Sequence, residues 1–326
     1  MKVAYGKNTP TSATDPEVIE VREILRAFNI AVRPGAYLVD SIPWLKHLPW
    51  YGRELKQWFE RRKRVYANQL NRVKQQIQSN MDEGPSFTKF MLESDNLHGL
   101  TEDELAVLAG TFFVAGSETT ALAICTVLLA AACFPEEQAK VQAELEAVIG
   151  KHRAPTFADQ PSLPRLQAFI SEALRWRPLT PNGGIFVVFS TRNLQDLHYR
   201  IASSRDSRRD LGKAISRDPE FYPEPYSFKP QRWIDDQGCL RDDLNLPIFG
   251  FGRRICPGRH VANRSVFINS VLVLWAFQLT PDSTMPLDDM GLINGIPNDR
   301  PYPIDFKTRI TEVELRSMMR NYPEVA

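Results

Sequence analysis

Between Leu105 and Phe134 the chain carries its one long apolar stretch, and this segment limits the folds open to everything around it. Thr101-Glu102-Asp103-Glu104 stands directly before it as a capping box. In such a box the threonine hydroxyl accepts from the first turn while the glutamate three residues on reaches back to the threonine amide. The pattern predicts a helix from there to about Phe134. That is long enough to cross a bilayer. Ser117-Glu118-Thr119-Thr120 interrupts it midway, however, and a charge at the centre of a membrane costs at least ~2.5 kcal/mol. The stretch therefore reads as a buried helix around which a protein core is built.

The flanking sequence is also largely helical in pattern. Residues 16 to 30 and 52 to 80 have helical periodicity, and the Pro-bearing, aromatic stretch from Arg33-Pro34 to Leu48-Pro49-Trp50-Tyr51 between them reads as loop or short helix. Pro135 opens a helix that Gly150, suited to a left-handed cap, should close. Another runs from about Pro164 to Trp176 and breaks at Arg177-Pro178. The apolar pattern from Val261 to Leu279 predicts a last buried helix.

Bulk properties narrow the function. A chain of 326 residues with 43% hydrophobic content can bury a large core. A net charge of +1 argues against a nucleic-acid partner. Cys125, Cys133, Cys239 and Cys256 form no Cys-x-x-Cys pair, which argues against a zinc site or a disulfide scaffold. Met1 to Gly6 leads into polar sequence, so neither signal peptide nor anchor is expected at the front.

Phe249-Gly250-Phe251-Gly252-Arg253-Arg254-Ile255-Cys256-Pro257-Gly258 sets one cysteine in a glycine-rich, arginine-flanked loop ahead of an apolar helix. The glycines allow a tight turn beneath a flat cofactor, and Arg253, Arg254 and Arg259 favour a thiolate that could ligate a metal. At Phe249, Gly252, Arg254, Cys256 and Gly258 the loop resembles the haem-binding signature of the cytochrome P-450 monooxygenases, and its idiom is similar to fungal members, many of which serve secondary metabolism. The resemblance implies haem as cofactor, with Cys256 as the axial thiolate to its iron, pushing electron density that favours O–O cleavage.

Further motifs fall in the family's order. Ala115-Gly116-Ser117-Glu118-Thr119-Thr120 is similar to its oxygen-activation motif. Small residues at 115 and 116 let a cofactor approach the backbone, and a hydroxyl at Thr119 can compete for a helical carbonyl and open a groove. The resemblance makes Thr119 and Glu118 the catalytic pair, one binding dioxygen and the other relaying protons. Glu172 and Arg175 share a helix face. In the family such a pair is buried and joined by a later arginine, here Arg232 in Phe228-Lys229-Pro230-Gln231-Arg232-Trp233, with a structural role.

Residues 182 to 213 depart from the family. Only Ile185 to Phe189 would make a strand, and an arginine- and serine-rich stretch follows before the pattern resumes at Ala214. Expected length with foreign content points to a shifted reading frame or splice boundary, the alternative being an exposed insertion. The sequence-level expectation is one partial cytochrome P-450 domain, mainly α with a small β component and incomplete at the N-terminus. Its implied partners are an NADPH-dependent flavoprotein reductase and a small hydrophobic substrate. Family members usually sit on the endoplasmic reticulum membrane, whereas this chain reads as cytoplasmic or peripheral, with Trp44, Leu45, Leu48, Trp50, Tyr51 and the basic run 61 to 64 as the membrane-contacting patch. A catalytically inactive remnant and a non-oxygenating haem-binding protein remain the alternative readings at this point.

Overall fold

A computed structural model describes residues 1–7, 14–31, 36–81, 84–94, 99–179, 216–244, 247–250, 255–284, 304–320 and 322. The described residues are mainly α with one small sheet. The divergent 182 to 213 segment, with its expected strand at Ile185 to Phe189, lies outside the described residues. The chain divides into two compact units, residues 1–118 and 119–326, so the boundary falls inside the long central helix.

The first unit contains α1 (Lys2–Tyr5), α2 (Pro16–Ala31), α3 (Arg53–Gln78), α4 (Phe87–Glu93) and the N-terminal part of α5 (Glu102–Cys133). The capping box forms as the sequence predicts: Thr101 N donates to Glu104 Oε2 at 2.8 Å and Glu104 N to Thr101 Oγ1 at 3.3 Å. Val21, Ile24, Tyr66, Leu70, Met91, Leu105 and Val114 make its main apolar cluster. Gly110 of α5 lets the Tyr66 ring of α3 lie against its backbone, for a Cβ there would fall 2.2 Å from the ring. Two short 3-10 turns, Leu38–Asp40 and Pro43–His47, fill the link between α2 and α3.

The second unit holds the rest of α5, then α6 (Pro135–Val148), α7 (Pro164–Trp176), α8 (Arg259–Ala276), β1 (Phe277–Pro281), β2 (Ile304–Thr308) and α9 (Glu312–Arg320). Gly150 follows α6 with φ of 75°, the left-handed geometry expected after a helix. Val127, Ala130, Val141, Leu145, Leu166, Phe169, Val271 and Leu274 pack as one core. The two strands pair antiparallel with Leu279 opposite Phe306.

Three expectations need correction. The last apolar run does not remain helical to Leu279: α8 starts at Arg259, ends at Ala276, and passes directly into β1. The stop is imposed from elsewhere. Gln142 Nε2 donates to the Leu274 and Phe277 carbonyls, Gln138 exchanges two hydrogen bonds with Leu279, and Arg309 Nη1 donates to the Leu274 and Trp275 carbonyls. Second, α5 is not buried throughout. Leu105 and Ala109 are buried in the first unit and Val127, Ala130 and Ala131 in the second, whereas Ala115, Gly116, Ser117, Thr119 and Ala121 are exposed. By length and composition the helix could cross a membrane. Third, the helix is not opened at Thr119, since α-helical structure is unbroken from Glu102 to Cys133. Ser117 donates to the carbonyl four residues back, that of Phe113 at 2.8 Å, and this bond forms without breaking the helical ladder.

Candidate functional site

Cys256 lies on a tight turn immediately before α8. Its amide donates to the Phe249 carbonyl at 2.9 Å, which closes the loop between those residues. Gly250 has φ of 73°, a conformation in which a Cβ would be strained, so glycine is what lets the chain reverse there. The thiol is half-buried. A Cβ placed on Gly258 would stand 3.8 Å from Cys256 Sγ, an ordinary contact that would cover one side of the sulfur. With glycine that side stays open.

The α8 backbone begins three residues after Cys256, at Arg259, and its N-terminal end carries partial positive charge. Arg259 is half-buried and its Nε donates to His260 Nε2 at 3.2 Å. Gly252 and Arg254 lie outside the described residues. Among the described residues no group of three or more His, Cys, Asp or Glu could enclose a bare metal ion.

On α5 the small-residue strip is bare. Ala115 and Gly116 are exposed, and a Cβ added to Gly116 would meet nothing within 4 Å. Glu118 is half-buried in the first unit; burial pushes its carboxyl above the ordinary glutamate range, against the opposing pull of Arg22 and Arg26 on α2. It thus holds a proton to higher pH than a solvated glutamate does. Thr119 is exposed, at the start of the second unit.

The network on α7 is the most fully satisfied polar cluster described. Glu172 and Arg175 have fully buried side chains. Arg175 Nε and Nη2 each donate to one Glu172 oxygen at 2.8 Å, the bidentate fork that suits a guanidinium and a carboxylate. The remaining Arg175 donors reach the carbonyls of Ser216, Pro225 and Ser227. Arg232 Nε donates to Glu172 Oε1 at 3.2 Å, while its other nitrogens hold the Pro223, Glu224 and Ser227 carbonyls. One carboxylate thus pins α7 to the irregular segment that runs from Ser216 to Trp233.

Two members of this cluster escape a reading based on charge spacing. The Lys229 amide donates to Glu172 Oε1 at 2.7 Å and Trp233 Nε1 donates to Oε2 at 2.9 Å. A backbone amide leaves no mark in sequence. The indole one residue after Arg232 does, since a buried tryptophan needs an acceptor for its N–H.

Comparison with known proteins gives the constellation its context. The family model for Cytochrome P450 matches residues 2–301. Cytochrome P450 monooxygenase 113 of Postia placenta is 44% identical over 316 residues, covering 96% of this chain and 63% of that protein. Cytochrome P450 monooxygenase 64 of the same fungus is 43% identical over 317 residues with the same coverage. A cytochrome P450 monooxygenase of Armillaria gallica is 35% identical over 330 residues, covering 95% of this chain and 61% of its own length. The chain therefore spans somewhat less than two thirds of these curated relatives.

Proposed function

The chain belongs to the cytochrome P450 family, and from that premise we propose that it acts in haem-thiolate monooxygenation, placing one oxygen atom from O2 into a small hydrophobic substrate. The observation that carries this reading is Cys256: a half-buried thiol on a loop closed by the Phe249 carbonyl, open on its Gly258 side and set before the N-terminus of α8. Haem is the cofactor the family implies, and its iron would supply the oxygen-activating chemistry. The donor set fits that group, because one thiolate is what a macrocycle-bound metal needs from this face.

The chain's own residues then take distinct parts. Cys256 would hold the metal as thiolate, with Phe249 and Gly258 shaping the loop around the sulfur. Ala115 and Gly116 present a bare helical strip against which a flat cofactor could lie. Thr119 would offer its hydroxyl to the oxygen being reduced, and Glu118, which keeps its proton to raised pH, would supply protons along the helix. Electrons would come from NADPH through a flavoprotein reductase, the type of redox partner that family membership suggests.

Peripheral membrane contact is part of the same reading. Trp44 and Trp50, each 62% exposed, stand on the short link between α2 and α3, whereas Leu45 is buried and Leu48 and Tyr51 are half-buried. Two exposed indoles beside basic residues suit the water–lipid boundary. The patch is thus narrower than the five residues expected from sequence.

A carbon monoxide difference spectrum of the reduced, haem-supplemented protein tests the assignment. A strongly red-shifted Soret band that Cys256→His abolishes is the expected result. A wild-type band of the kind given by neutral ligands would overturn it.

A further inference from the structure

A cavity of about 470 Å³ in the second unit is lined by α6, the start of α7 and the turn that follows the 3-10 segment Pro230–Trp233. That volume falls within the roughly 300–1,000 Å³ usual for small-molecule sites. Its charged lining is Glu144, Arg165, Asp235 and Asp236, while Pro164 and Ile234 give it an apolar wall. None of these groups has a part in the Cys256 loop, the α5 strip or the Glu172 cluster.

The four charges are not equally available. Glu144 accepts from the Arg165 and Leu166 amides at 2.8 and 2.9 Å and so caps α7. Asp235 Oδ1 accepts from the Gln237 and Cys239 amides at 2.9 and 2.8 Å, which fixes the turn that carries Asp236. The half-buried Arg165 and the exposed Asp236 side chains, by contrast, make no hydrogen bond or ion pair among the described residues. Arg165 acts on Glu144, and Asp236 on Arg241, only at longer range, and Arg241 is already held by both oxygens of Asp243.

This lining selects among ligands. A simple anion would meet three carboxylates, and no group of three acidic, Cys or His side chains among the described residues could hold a metal ion. An apolar molecule would take water from Arg165 and Asp236 and return nothing to them. A molecule with charges of both signs gives each free side chain a partner. Three negative charges against one positive favour a ligand that carries one net positive charge over a neutral zwitterion. An alkyl stem between its ends would lie along Pro164 and Ile234, as the stems of long cationic side chains do on apolar surface.

We propose that this cavity binds a basic amino acid, with its carboxylate on Arg165, its side-chain cation on Asp236 and its stem against Pro164 and Ile234. The site stands apart from the Cys256 assignment and requires no haem.

Isothermal titration of the full chain with L-arginine is the test. Agmatine, with the same stem and guanidinium but no carboxylate, and L-norvaline, an amino acid of similar stem without the guanidinium, are its controls. Arginine should bind saturably, and both controls several-fold more weakly. Arg165→Gln should weaken arginine by about 3–10-fold, the range for losing one partly exposed charged contact, and should not weaken agmatine, from which it removes a repelling cation. Asp236→Asn should weaken arginine by a similar factor. An unchanged melting point in each variant shows that the fold is kept. Absence of saturable arginine binding, equal affinity of the wild type for arginine and agmatine, or undiminished arginine binding in Arg165→Gln would overturn the proposal. The titration does not depend on a thiolate spectrum, so failure of the haem-thiolate reading would leave the result interpretable.

Discussion

Glu172→Gln is the perturbation whose cost follows most directly from geometry. The substitution keeps the side chain's size and removes its charge. Oε2 accepts from Arg175 Nε and Trp233 Nε1, while Oε1 accepts from Arg175 Nη2, Lys229 N and Arg232 Nε. Whichever way the new amide turns, its NH2 must face donors: two if it replaces Oε2, three if it replaces Oε1. The better orientation still sets two donors against a donor and leaves the fully buried Arg175 cation with only carbonyl partners. Breaking a buried ion pair by removing one member costs about 3–5 kcal/mol. That is a large share of the roughly 5–15 kcal/mol that stabilises a domain. For a unit of this size, each kcal/mol moves the melting point by about 2–4 °C, so the fall should be on the order of 6–20 °C. Differential scanning calorimetry of wild type and variant at one scan rate reads it. Arg232→Gln should fall less, because Arg232 lies at the rim of the cluster and two of its nitrogens face carbonyls near solvent. A Glu172→Gln melting point within about 2 °C of wild type would refute the reasoning.

Other perturbations separate structure from chemistry. Gly110→Ala gains helix propensity but puts a methyl where the nearest Tyr66 ring atom is 2.2 Å away, so a net loss of about 1–3 kcal/mol is expected in denaturant melts, partly restored by adding Tyr66→Ala. Asp159 is held below the ordinary aspartate range, first by the Arg153 guanidinium and then by Thr156. Its folded pKa lies under its unfolded value, so its contribution is present above about pH 4 and lost as pH falls through the folded value; Asp159→Asn should flatten that part of an acid titration of stability. Glu118 has the opposite sign. Burial raises its folded pKa, so the folded state holds the proton more tightly and loses stability as pH rises past the unfolded value. Glu118→Gln should therefore melt no lower than wild type at pH 8, yet slow oxygen-dependent turnover, while Thr119→Ala should consume O2 without matching product. A Glu118→Gln variant that loses stability at pH 8, or a Thr119→Ala variant that stays coupled, would count against those roles.

What could be read from sequence was whatever is fixed locally. Thr101 and Glu104 signal a helix start because both partners of the hydrogen bond lie within four residues. Pro135 and Gly150 mark α6 because each restricts or frees its own backbone. Cys256 stands out because its glycines and arginines are contiguous with it. The Glu172–Arg175 pair was visible at i,i+3, but its burial came through resemblance, since the same spacing on a surface helix contributes only ~0.2–0.5 kcal/mol.

What could not be read is set by groups distant in the chain. From Val261 to Leu279 the sequence is apolar enough for helix or strand, and nothing local forces a change at Ala276. The change occurs because the last α8 carbonyls lie buried and must be satisfied. Gln142, 132 residues before Leu274, and Arg309, 35 residues after it, donate to those carbonyls, while Gln138 binds Leu279 as a third strand would. Once these donors are in place, another helical turn would compete with them for the same oxygens, and β2 is there to take the extended backbone instead. The same logic accounts for α5. A serine, a glutamate and two threonines in a helix suggested a distortion, but the Ser117 hydroxyl can share the Phe113 carbonyl with the ladder, so the polar segment is carried by an intact helix. Its exposed strip from Ala115 to Ser117 is then made of small side chains on an unbroken helix.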